Sequence, residues 1–239
     1  MTAIELLLGG VVYAIGCTLQ GILGFGAGLF AVPILVLINP GFVPGPILLI
    51  NPLMGGIYAW RERDYIDWKG LKWILVGRIP GIALGVIALT LAGEEKLELL
   101  FGILLLSALG VRLVGIKPTR NPKNLTAGGC LSGFMGTAVS VGGPPIALLY
   151  HDVSGSTLRA TLSPYFLIGS TISIGALATF GHFGTKDLIV SLWLIPALLV
   201  GALLSKPLTK ILDRKWITPG IYTLSGIAAL TLLLRSLGS

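Results

Sequence analysis

Six glycines in two clusters, Gly24, Gly26 and Gly28 early in the chain and Gly136, Gly142 and Gly143 later, stand near the side-chain donors Asn51, Arg78, Thr137, Ser140, Arg159 and Ser163. Backbone N–H groups left open by glycine, hydroxyls, an amide and guanidinium groups share one chemistry: they donate hydrogen bonds to an anion. All ten Asp and Glu residues read as loop or terminal positions, so no carboxylate relay for protons crosses the apolar spans. HExxH and GxSxG motifs are absent, and His151 and His182 sit at element ends, where they make a poor metal set. We expect no catalytic group, no metal and no cofactor.

The elements that must position these donors are duplicated. Gly16, Leu19, Gly21, Gly24 and Pro33 meet Gly128, Leu131, Gly133, Gly136 and Pro145 at a constant offset of 112 residues. Asn51-Pro52 and Ser163-Pro164 stand at the same offset. Each glycine inside a helix costs roughly 1 kcal/mol against alanine, so two copies of the same weakening suggest a use. As one helix, residues 4–38 would run about 52 Å, against a hydrocarbon core of about 30 Å. That stretch must break, and Gly24–Gly28 is the natural place. Pro33, Pro52, Pro145 and Pro164 add kinks by removing backbone donors.

Composition names the solvent. The chain of 239 residues is 54% hydrophobic and 11% charged, with mean hydropathy +0.91, where soluble proteins carry about 25% charged residues. This excludes a soluble surface and predicts an all-α integral membrane protein. The net charge of +7 belongs to short loops between apolar runs and points to topology, not to nucleic acid. Cys17 and Cys130 lie in apolar stretches and read as small buried hydrophobes. The only charge before Arg61 is Glu5, so the basic n-region is missing and a signal peptide is not expected.

Predicted spans cover 45–60, 71–92 and 99–116 in the first half, and 157–180, 188–205 and 216–235 in the second. Residues 1–116 form a first repeat, 117–124 a basic linker and 125–239 a second repeat. If both glycine-broken stretches are re-entrant hairpins, thirteen Lys and Arg face the cytoplasm against Lys96, Lys186 and Arg235 outside. The basic loops 61–72, 112–123 and 206–215 are then all cytoplasmic, as the positive-inside bias prefers. The fold expected is two inverted repeats, each a Gly/Pro-broken re-entrant element plus three transmembrane helices. Eight full spans in two parallel repeats are the alternative.

The motifs Gly21–Pro33 and Gly133–Pro145, in a small duplicated chain with a basic centre, resemble the sulfite exporter TauE/SafE family, within the wider toluenesulfonate uptake permease group. The resemblance implies transport of sulfur-containing anions such as sulfite, thiosulfate or organosulfonates across a cell (inner) membrane. It leaves direction and coupling open. The first motif keeps glycine early and the second keeps it late, so the two tips are not chemically equivalent.

Other readings stand beside this one. The glycines would also serve close helix packing. Asn51 and Ser163 would also be locally satisfied at kinks. Arg159 would also be a positive-inside anchor, and Arg78 would also snorkel to the interface. Gln20 and Ser132, equivalent on the first arms, are weaker candidates. An anion channel-like facilitator and a non-transport membrane assembly subunit are the alternative functions. The lipid bilayer and a small anion are the expected partners, with a homodimer left open.

Overall fold

A computed structural model of the chain describes residues 1–92, 97–113, 117–211 and 214–238. The acidic loop at 93–96, residues 114–116 before the linker and residues 212–213 of the third basic loop lie outside these ranges. Among the described residues all regular structure is helical. Ten α-helices follow in order: α1 (Ala3–Leu23), α2 (Val32–Ile38), α3 (Gly45–Glu62), α4 (Trp68–Ala92), α5 (Leu97–Leu113), α6 (Pro122–Val139), α7 (Gly143–Leu149), α8 (Gly155–Thr179), α9 (Thr185–Ile211) and α10 (Arg214–Gly238). Five segments are long and apolar enough to cross a membrane, namely Ala3–Leu23, Pro40–Tyr65, Trp68–Ala92, Gly155–Thr179 and Thr185–Thr209.

The first glycine-rich stretch is broken. A Thr2–Glu5 capping box starts α1, and Gly24, at φ +92°, ends it by donating its N–H to the Gln20 carbonyl at 2.7 Å. The chain then folds back, since a Cβ on Gly26 would fall 2.7 Å from the Leu19 carbonyl carbon and one on Gly16 would fall 2.8 Å from the Ala31 Cβ. The return arm begins with a π-helical turn, Ala27–Ala31, and continues into α2. Pro33 explains part of that irregularity. It cannot donate to the Leu29 carbonyl, which instead accepts the Ser225 hydroxyl of α10 at 2.6 Å. The second stretch breaks at Ser140, whose φ is 58°, and returns as α7.

Helix pairing follows the small residues. Gly77, Gly81 and Gly85 of α4 set its backbone against Thr126, Cys130 and Phe134 of α6, and α1 packs along α9 where Gly201 meets Ala14 and Cys17. Gly55 of α3 lies under the Ser163 carbonyl and Leu167 of α8, and α5 lies on α10. Two contacts join residues 112 apart. A Cβ on Gly28 would fall 2.6 Å from the Ser140 oxygen, and one on Gly55 would fall 2.8 Å from the Leu167 nitrogen.

Candidate functional site

The two breaks meet. Gly28 abuts the Ser140 carbonyl, and Gly143 abuts Phe25. Between them lies a cavity of about 20 Å³, where one water needs roughly 10–15 Å³ on the same measure. The first hairpin lines it with Gln20, Phe25, Gly28 and Leu29, and the second with Ser140, Gly142 and Gly143. The kinked helices add Asn51 and Met54 from α3 and Phe166 from α8. No carboxylate lines it.

Each break is tied by a side chain of its own first arm. Gln20 Nε2 donates to the Gly24 carbonyl at 2.7 Å, and Gln20 Oε1 accepts the Ala27 N–H at 3.0 Å. In the second copy the Ser132 hydroxyl donates to the Gly142 carbonyl and accepts the Tyr165 hydroxyl at 2.7 Å. Buried backbone groups without a helical partner need such donors and acceptors. The polar side chains at 20 and 132 supply them.

Of the residues singled out from sequence, Gln20, Gly28, Asn51, Ser140, Gly142 and Gly143 line the cavity. Asn51 is 8% exposed, and its amide has no hydrogen-bond partner among the described residues. Gly24 packs on the Arg159 stem and Gly26 on the Leu19 and Gln20 backbone. Gly136 and Thr137 remain inside α6, where the Thr137 hydroxyl pairs with that of Ser173 at 2.9 Å. Ser163 turns back to the Arg159 carbonyl at 2.7 Å. The prolines fall at the start of α2 (Pro33), in the first turn of α7 (Pro145) and inside α3 and α8 (Pro52, Pro164). Arg78 does not snorkel. It is 1% exposed and lies over the Tyr165 ring at 4.5 Å.

Arg159 lies at the end of α3 away from Gly45. It donates through Nη1 to the Ile22 carbonyl at 3.2 Å, and its Nε and Nη2 hold Glu62. Arg61 donates to the Gly21 carbonyl at 3.2 Å and to the Ser205 hydroxyl at 3.0 Å. Gly21 and Ile22 belong to the last turn of α1, whose carbonyls have no helical partner. Two cations therefore satisfy the broken end of α1, where the helix dipole is negative.

At the opposite end of α3 a wide depression of about 750 Å³ opens between Gly41–Pro44, Leu89–Thr90 and Gly181–Asp187. His182 and Lys186 line it, and the His182 Nε2 atom lies 2.8 Å from the Thr90 hydroxyl. Pro44 lines it too, and its carbonyl accepts the Ser140 hydroxyl at 3.2 Å. Ser140 of the central cavity and Pro44 of this vestibule are thus directly bonded. Among the described residues no three His, Cys, Asp or Glu side chains gather as metal ligands.

The profile of the sulfite exporter TauE/SafE family matches residues 7–232, from the first turns of α1 into α10, and so takes in both breaks. The chain belongs to the sulfite exporter TauE/SafE family. Comparison with curated proteins and with solved structures gives no match. TauE/SafE membership and the apolar helices together make this a multi-pass membrane protein. The family is one of transporters, and its membership implies a membrane transporter of sulfur-containing anions.

Phe25, Leu29, Met54 and Phe166 were not singled out from sequence. A signal for two of them was present. Met54 and Phe166 stand 112 apart, each two residues past a mid-helix proline and three past Asn51 or Ser163, hence on the same helix face.

Proposed function

We propose that this TauE/SafE protein is a secondary permease for small sulfur-containing anions, sulfite or organosulfonates, bound between the tips of the two hairpins. The observation that carries the reading is the meeting of two breaks, one after Gly24 and one after Ser140, around one cavity free of carboxylates. Backbone N–H groups near Gly28 and Gly143, with the unpaired Asn51 amide, are its donors. Gly26 and Gly136 let the arms of each hairpin close, Gly24 turns the chain against Arg159, Thr137 and Ser163 brace α6 and α8, and Arg159 holds the first break from one side.

The halves 1–116 and 125–239, joined by the linker 117–124, are inverted repeats with re-entrant hairpins. Contacts between residues 28 and 140 and between 55 and 167 support this, because equivalent residues touch on a two-fold axis. Pairing supports it too. Exchanging the halves turns the α4–α6 pair into the α9–α1 pair and maps α3–α8 and α5–α10 onto themselves. The basic loops 61–72, 112–123 and 206–215 then face the cytoplasm, and the vestibule faces outward. A cavity with room for about one water fits alternating access better than an open channel.

Proteoliposome uptake of labelled sulfite and methanesulfonate tests the proposal. Saturable uptake that is lost in a folded Gly143→Leu variant is expected. Uptake unchanged by that substitution would remove the site, and no uptake of either anion would remove the permease.

A further inference from the structure

Arg78 is the one cation held deep within the described helices, and nothing there balances it. It is 1% exposed, its Nε and Nη1 atoms have no hydrogen-bond partner, and no carboxylate pairs with it among the described residues. A buried charge without a counter-ion is costly, and arginine does not escape by losing its proton. The helices around it are nevertheless cut to its shape. The guanidinium occupies the space a Cβ on Gly169 would fill, and a Cβ on Gly133 would fall 3.1 Å from the Arg78 Cγ. The Tyr165 ring supplies a π face on which the cation rests.

The cation lies just behind the second tip. A Cβ on Gly136 would fall 3.5 Å from Arg78 Nη2 and 3.5 Å from the Gly142 Cα. Only the bare backbone of Gly136 stands at that point, and Gly142 lines the cavity. A chain of contacts also joins the two: Arg78 rests on Tyr165, Tyr165 bonds Ser132, and Ser132 holds the Gly142 carbonyl. A shift of the tip therefore acts on both the cavity wall and the guanidinium.

We propose that Arg78 is the fixed counter-charge of the transported anion and binds it directly once the second tip moves. This rests on the permease reading and narrows its substrate class. The site takes oxyanions without an ammonium group, such as sulfite and simple sulfonates. An aminosulfonate would bring a second cation against Arg78 with no carboxylate at hand to receive it. Arginine's planar fork suits two oxygens of one sulfur oxyanion.

The test uses the purified full chain and reads ligand-induced thermal stabilisation with sulfite, methanesulfonate and taurine. Wild type is stabilised by the first two and not by taurine. Arg78→Met keeps the length of the side chain and removes the charge. It melts at the wild-type temperature or above, with affinity for both anions roughly 100-fold weaker. Arg78→Lys keeps the charge but not the fork and binds about tenfold more weakly, and it decides the question if Arg78→Met does not fold. Arg78→Met or Arg78→Lys binding as tightly as wild type overturns the proposal. So does taurine stabilising as well as methanesulfonate. Failure of wild type to bind or transport any of these anions falls instead on the permease reading.

Discussion

Arg159 and Glu62, 97 residues apart in sequence, form a two-point ion pair, with Nε 2.9 and 3.1 Å from the two carboxylate oxygens and Nη2 2.8 Å from the first. Both side chains are 14% exposed. The pair joins the end of α3 to the start of α8 directly beside the first break, because Arg159 also holds the Ile22 carbonyl. Under the proposed topology it closes the cytoplasmic side.

Glu62→Gln removes the charge that fixes Arg159 and is expected to lower stability by about 1.5–3 kcal/mol, the range for a hydrogen bond to a charged group. It also frees the tip. A cysteine placed at Phe25 should react faster with a soluble maleimide in the Glu62→Gln background than in wild type. Equal labelling rates would show that the pair does not guard the break.

The tie across the first break rests on one amide. Gln20→Leu leaves the Gly24 carbonyl and the Ala27 N–H buried without partners, at a cost of about 1–3 kcal/mol for each group. Thermal unfolding should fall accordingly, and Ser132→Ala in the second copy should show a smaller loss because the Tyr165 hydroxyl it releases also reaches the Gly129 carbonyl at 3.5 Å. A Gln20→Leu protein as stable as wild type would mean that the backbone re-forms its bonds without the side chain.

The Ser140 hydroxyl, on the cavity, donates to the Pro44 carbonyl, on the vestibule. Ser140→Ala removes one neutral hydrogen bond, worth about 1 kcal/mol, and eases opening on that side. Exchange of a bound anion from the vestibule side should accelerate several-fold with little change in folding. A slower or unchanged exchange rate would place the outer barrier elsewhere.

Two adjacent glycines should behave oppositely. A side chain at Gly55 meets the Ser163 carbonyl at 2.7 Å and Leu167 of α8, whereas nothing lies within 4 Å of one at Gly56. Gly55→Leu is expected to separate α3 from α8 and cost roughly 1–3 kcal/mol or more. Gly56→Ala should be neutral or stabilise by up to about 1 kcal/mol. Melting temperatures of the two variants decide this, and equal effects would contradict the packing of α3 on α8.

Much of this architecture could be read before any coordinates. Low charge and apolar runs demanded helices that satisfy their own backbone in lipid, and the length of residues 4–38 demanded a break. The 112-residue repeat pointed to a break in each half and paired Asn51 with Ser163 and Gln20 with Ser132, although the second break falls at Ser140, four residues past the glycine equivalent to Gly24. Those properties depend on residue type and spacing along one chain.

The partners across the chain were decided only in three dimensions. Equivalent positions received different work. Asn51 faces the cavity with a free amide while Ser163 bonds its own helix, because a serine hydroxyl reaches the carbonyl four residues back. Arg159 satisfies the broken end of α1, and Arg78 lies buried against Tyr165 rather than at the interface. Periodicity places a side chain on a face of its helix. Which carbonyl, carboxylate or ring stands opposite that face depends on contacts between residues about 90 positions apart, and these form only when the helices pack.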